Sequence, residues 1–239
     1  RELLAILHKE VTPALGCTGP TAIAYVAAEA AEAVGGTPKK VRIKVDRHIG
    51  TKNSDVGIPN TKVVGIEVAS AVGALAGDAS AKLNVLHNVT PEDEERAKQF
   101  VIDGNVQVDV DLETDVLGLF MDCTVETDKG YGRAVVVKTH TNLVYREANG
   151  VVQVNIHYDR IASMNETHDA MAHYRIADFY DFAKNAPLED LLFLRDAIAM
   201  NKELAGTIFT GEAKGGGFAK SMMGRSGNNS IRKAKALVA

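Results

Sequence analysis

The sequence predicts an α+β fold: an antiparallel meander flanked by N-terminal and C-terminal helices. Three observations carry that reading. Apolar residues follow a helical spacing through most of the first hundred positions, alternate with polar ones from Val106, and return to helical spacing near Met171. Helices and strands are segregated along the chain, which argues for α+β and against a βαβ repeat. The turn sequences Asp128-Lys-Gly130 and Ala148-Asn-Gly150 sit between alternating segments, where Asn-Gly is a strong hairpin signal. The expected organisation is a mainly helical segment with one strand over 1–103, a β-meander over 104–158 and a mainly helical segment over 159–239.

Taken in order, Leu3, Leu4, Ile6, Leu7 and Val11 give a short amphipathic helix that Pro13 breaks. After the loop Pro13–Gly19, Pro20 suits a helix start. Thr21–Val34 is almost all alanine with Ile23 and Val26, apolar nearly all round, so this helix is expected to be buried. Gly35-Gly36 ends it. Val41, Ile43 and Val45 alternate with Arg42, Lys44 and Asp46 as a half-buried strand, and a polar loop follows from Arg47 to Lys62. Val63–Ala76 reads as a helix of small residues, in which Gly65, Gly73 and Gly77 permit close backbone contact. Pro91-Glu-Asp-Glu-Glu opens a helix whose carboxylates complement its N-terminus. Five strands follow, starting at Val106, Leu117, Arg133, Leu143 and Val151; helices are expected over Met171–Lys184 and Leu188–Leu204.

Composition narrows the function classes. Of 239 residues, 46% are hydrophobic and 24% charged, which excludes wholesale disorder. Trp is absent and aromatics total 5%, so base-stacking platforms for nucleic acid are not expected. No stretch approaches a membrane span. Net charge is −4, yet the last thirty positions are basic, with Lys214, Lys220, Arg225, Arg232, Lys233 and Lys235 against Glu212; this reads as a solvated helix face. Two cysteines, Cys17 and Cys123, point to a reducing cytoplasm and not to a disulfide scaffold. The segment Gly215–Ser221 lacks the Gly before Lys220 that a phosphate loop needs. His168 and His173 are five apart, the wrong spacing for a zinc helix, and no ligand set for a zinc hydrolase is present. The chain ends on a helical pattern without a stop signal, which reads as part of a longer polypeptide.

Three loops hold chemistry-bearing residues. Cys17 precedes a helix start whose free N–H groups favour an anion, so it suits a thiolate nucleophile or a metal ligand; a small buried cysteine is the competing reading. Cys123 lies mid-strand and is expected to be core. Asn53, Asn60, Thr61 and Lys62, and the turn His140-Thr141-Asn142, offer amide, hydroxyl and ammonium donors that suit a small carboxylate, or equally the hydrogen bonding of turns. The three loops are expected to converge on one cleft.

Pro13-Ala-Leu-Gly-Cys-Thr-x-Pro20, Val56-Gly-Ile-Pro-Asn-Thr-Lys62, Gly73-Ala-Leu-Ala-Gly77 and His140-Thr-Asn142, in that order, resemble the iron–sulfur L-cysteine desulfidases, grouped with serine dehydratase-like α-chain proteins. Members are about twice this length, so the chain looks like the N-terminal half; Gly19 stands where the family pattern has Glu. The resemblance implies β-elimination on a small amino acid: L-cysteine to sulfide, ammonia and pyruvate, or L-serine to ammonia and pyruvate. It implies a [4Fe–4S] cluster held by three cysteines with one open iron, and no pyridoxal phosphate. Cys17 matches the family's N-terminal cluster ligand. Thr18, Asn53, Asn60, Thr61, Lys62, Thr141 and Asn142 would hold the substrate, and His140, which has a neutral base form near pH 7, would move the proton. The remaining ligands would come from the C-terminal half or a partner chain, so this chain alone is expected to be inactive. The alternative is a non-catalytic small-molecule-binding or assembly module. Neither nucleic acid nor membrane is an expected partner.

Overall fold

Val41, Ile43 and Val45 alternate onto the covered face of a sheet strand, each almost fully buried. The computed structural model describes residues 2–11, 13, 16–54, 56–113, 119–158 and 170–210. Among these, six strands, β1 (Pro38–Asp46), β2 (Val106–Asp111), β3 (Phe120–Thr127), β4 (Gly130–Val137), β5 (Leu143–Ala148) and β6 (Val151–Asn155), form one sheet in the order β2-β1-β3-β4-β5-β6. Helices α1 (Glu2–Glu10), α2 (Thr18–Val34), α3 (Arg47–Asn53), α4 (Ile66–Ala76) and α5 (Pro91–Ile102) precede the meander, and α6 (Ile176–Asn185) and α7 (Leu192–Thr210) follow it in the chain. The architecture is α+β, as the change of period indicates.

The meander differs from expectation at its first strand. Strands β3 to β6 pair antiparallel in succession, but β2 pairs parallel with β1, which lies between β2 and β3. A parallel pair needs a long crossover, and α3, α4 and α5 supply it. The expected strand start at Leu117 lies outside the described residues; β3 begins at Phe120. Likewise His168, the glycine-rich segment, the basic end of the chain and its final helix lie outside them. The loop expected over 47–62 opens with α3, because Asp46 caps it: Oδ1 accepts from the His48 and Ile49 N–H groups at 2.7 and 3.0 Å. Its Oδ2 accepts from the Phe120 N–H at 2.8 Å, so one fully buried carboxylate ties the start of α3 to the start of β3. Asp46→Asn sets an amide NH2 against at least one of these donors. It should cost about 2 kcal/mol, read as a lower denaturant midpoint with an unchanged slope.

The chain forms two compact units, Arg1–Pro13 with His173–Ala239, and Ala14–Ala172. In the second, α2 packs across β3, β4 and β5, and α4 packs on α2. Every residue of α2 from 19 to 31 is buried, as its all-round apolar sequence requires. Small residues set the closeness of this packing: a Cβ on Gly73 would lie 2.5 Å from the Ala24 Cα, and one on Gly132 3.1 Å from the Ala30 carbonyl carbon. Of the buried residues of α2 that carry polar groups, Tyr25 and Glu29 face Arg146 of β5, whose guanidinium lies 3.0 Å from the Glu29 carboxylate. Burial, then the neighbouring Glu29 charge, pushes the Tyr25 hydroxyl pKa up. This group fixes α2 along its axis over the sheet, and with it the N-terminus that carries Cys17.

Candidate functional site

Helix α2 starts at Thr18, two residues before the expected start, with Cys17 as its N-cap in extended conformation. Pro20 still falls in the first turn, where no intrahelical N–H is needed. Cys17 is exposed, Thr18 half-buried and Gly19 buried. The Cys17 side chain makes no capping bond, and its carbonyl accepts from the Thr21 hydroxyl at 2.9 Å. The thiol is therefore free and accessible at the positive end of a long buried helix. Cys123, by contrast, is fully buried in β3, and burial pushes its pKa up, so it is a packed thiol and not a nucleophile or ligand.

Two of the three loops meet here. A Cβ on Gly16 would touch Pro59 at 3.2 Å, and one on Gly19 would lie 2.7 Å from Asn53 Cγ. Asn53 is buried at the end of α3, and its amide donates to the Ile49 carbonyl at 2.9 Å. Asn53 thus occupies the space a side chain at position 19 would need, which is the physical reason for glycine there. Gly19→Ala should displace Asn53 and cost about 1–3 kcal/mol; a crystal structure of the variant with Asn53 unmoved would contradict this.

The 57–64 loop is closed by a Gly57–Val64 bridge. Its polar side chains are largely occupied in holding it. The Asn60 amide donates to the Leu86 carbonyl at 2.9 Å with Asn60 at φ 59°, and the Thr61 hydroxyl donates to the Ile58 carbonyl at 2.8 Å. The Lys62 N–H donates to buried Glu94 of α5 at 2.8 Å, and Lys98 pairs with the same carboxylate at 2.6 Å. Glu94 and Asp46 are the supporting residues that sequence reasoning missed. Asp46 was findable, since Asp directly before a helix is a cap signal; Glu94 sits in an acidic run that already has a helix-dipole explanation.

The third loop joins β4 to β5. Val137 pairs with Phe120 and Met121 with Val45, so this turn lies at the same end of the sheet as α3. The far end of α2 lies at the opposite end, where the Thr127 hydroxyl donates to the Gly35 carbonyl at 2.8 Å. The N-terminus of α2 therefore shares the sheet end of His140, Thr141 and Asn142. The Asn142 amide donates to the Val137 carbonyl at 3.1 Å, closing the turn. His140 is half-buried, and desolvation lowers its pKa, so its neutral form predominates near pH 7. The structure thus sets Gly16 and Gly19, which flank Cys17 and Thr18, against Pro59 and Asn53, and places His140 at the same end of the sheet.

Among curated proteins the chain is similar to the UPF0597 protein of Photobacterium profundum, 35% identical over 207 residues, which is 87% of this chain and 48% of that one. It is 34% identical to the UPF0597 protein of Clostridium tetani over 203 residues, 85% of this chain and 48% of the other. A third relative, the UPF0597 protein of Bacteroides thetaiotaomicron, is 33% identical over 213 residues, 88% of this chain and 48% of the other. The chain spans about half the length of the curated relatives it matches. No family model and no solved structure matches it.

These matches correct the resemblance read from the motifs. The relatives that align over most of the chain carry the UPF0597 name, and no serine dehydratase-like or desulfidase name appears with them. Three of the four motifs are short loops rich in Gly, Pro, Asn and Thr, which recur wherever a tight turn needs their conformations, and Gly73-Ala-Leu-Ala-Gly77 is the small-residue end of helix α4. Such short segments outweigh neither the length nor the continuity of these alignments.

Proposed function

We propose that, in the longer protein, this end of the sheet takes part in an iron–sulfur-dependent β-elimination on a small amino acid, L-cysteine to sulfide, ammonia and pyruvate, or L-serine to ammonia and pyruvate. The observation that supports it is the free, exposed Cys17 thiol at the N-terminus of buried α2, between Gly16, which abuts Pro59, and Gly19, which abuts Asn53. In this reading Thr18, the Lys62 ammonium and the first-turn N–H groups of α2 bind the substrate carboxylate. His140, neutral near pH 7, accepts the Cα proton.

A [4Fe–4S] cluster with an open iron would supply Lewis acidity toward the departing group. The donor set fits it only in part. Such a cluster needs three thiolates, Cys17 offers one, Cys123 is buried, and no group of three ligating side chains occurs among the described residues. Cys17 would be a single ligand, with the others outside this chain. The cytoplasm, where thiols stay reduced, suits this chemistry.

A second reading, a small-molecule-binding or assembly module without chemistry, is favoured by the inward bonding of Asn53, Asn60, Thr61 and Asn142. The two separate in one assay: the longer protein, reconstituted anaerobically, should release sulfide and pyruvate from L-cysteine or pyruvate from L-serine. Ligand binding without turnover would select the second. His140 adds a pH test. Because its folded pKa is depressed, the unfolded state binds the proton first as pH falls below about 6.5, so stability declines there. His140→Asn should remove that part of the decline in denaturation measured from pH 7 to pH 5.

A further inference from the structure

The unit that contains α6 and α7 presents apolar side chains outward. No residue of α1, α6 or the short turn at Leu188–Leu191 is buried. In α6, Ile176, Phe179, Tyr180 and Ala183 recur at helical spacing and form an apolar stripe, as on a helix that covers a core. Yet that stripe faces solvent: Ile176 is 86% and Tyr180 66% exposed. Leu188 at 73% in the turn and Ile198 at 66% in α7 are also exposed. Single exposed apolar residues are ordinary, but a whole amphipathic stripe turned outward marks an interaction surface.

We infer that this face is the docking surface for the polypeptide equivalent to the half of the relatives that this chain does not span. The relatives carry about as much sequence again, since 207 matched residues are 87% of this chain but only 48% of the Photobacterium profundum protein. A segment in the same polypeptide meets such a face at high effective concentration, so the face needs no protection as a free surface. The occupant is thus an apolar-faced segment of that second half, packed along the stripe of α6. This inference stands apart from the lyase reading, because it concerns binding and not turnover.

The test mixes the 239-residue chain with the separately produced, unmatched part of the Photobacterium profundum relative, and in parallel with that of the Clostridium tetani relative. Light scattering should show a 1:1 complex with at least one of them. Amide exchange over 176–200 should slow at least tenfold in the complex. The variant Ile176→Glu/Tyr180→Glu/Ile198→Glu alters exposed positions; with unchanged circular dichroism and melting temperature, it should weaken the complex at least tenfold. Absence of a complex with both segments would overturn the inference. So would a complex indifferent to the variant, or a dimer of this chain through the same face that neither segment displaces.

Discussion

Replacing Cys17 by serine is expected to reduce turnover of the longer protein at least about a hundredfold while leaving its fold intact. Cys17 is exposed and its side chain makes no capping bond, so nothing in the packing depends on the sulfur. On the proposed lyase reading the loss comes from chemistry alone: a metal's contribution to such a reaction would be several kcal/mol, and each 1.36 kcal/mol is tenfold in rate. Cys123→Ser should behave oppositely. That residue is fully buried between Val125 and Met121 in β3, so its replacement lowers stability by about 1–3 kcal/mol and leaves turnover per folded molecule unchanged. Steady-state rates normalised to folded protein, with melting curves of both variants, separate the two effects. Equal activity loss in both would contradict the distinction between the free and the packed thiol.

The largest effect on stability is expected at Gly73. A methyl group there would lie 2.5 Å from the Ala24 Cα and 2.7 Å from its carbonyl carbon, both backbone atoms of a helix that is itself buried on all sides. A flexible side chain could yield; two helix backbones cannot without moving α4 away from α2. Gly73→Ala should therefore cost about 3 kcal/mol, at the upper end for overpacking, and lower the melting temperature by roughly 6–12 °C for a domain of this size. Gly57→Ala is the matching control, because nothing lies within 4 Å of its added methyl. A Gly73→Ala variant as stable as Gly57→Ala would mean that α2 and α4 do not approach as described.

What was legible in the sequence follows the range of the interaction that writes it. The strand through Val41, Ile43 and Val45, the buried alanine helix and the Asn149-Gly150 hairpin depend on neighbours a few residues away, and the structure has all three. The place of β1 between β2 and β3 depends on a crossover of three helices, and no local period records it. Helix α3 reads as loop because Arg47-His-Ile-Gly-Thr-Lys-Asn53 has no apolar stripe; its formation rests on the Asp46 carboxylate and a strand far along the chain. At the site, the exposure of Cys17 suits its loop position. The fit of Asn53 behind Gly19 and the grip of Glu94 on Lys62 are long-range and could not be read in advance. Asn60, Thr61 and Asn142 show the opposite lesson: residue types that suit a ligand are equally suited to holding their own loops, and here each one does so.

The most direct test of the central claim is the iron and acid-labile sulfide content after anaerobic reconstitution, measured for this 239-residue chain and for the longer protein side by side. With one accessible thiol in the chain, no stable cluster is expected in the chain alone. The longer protein should hold near four irons and four sulfides per molecule, falling sharply in Cys17→Ser. A longer protein that stays free of iron, or one whose cluster is indifferent to Cys17→Ser, would contradict the account.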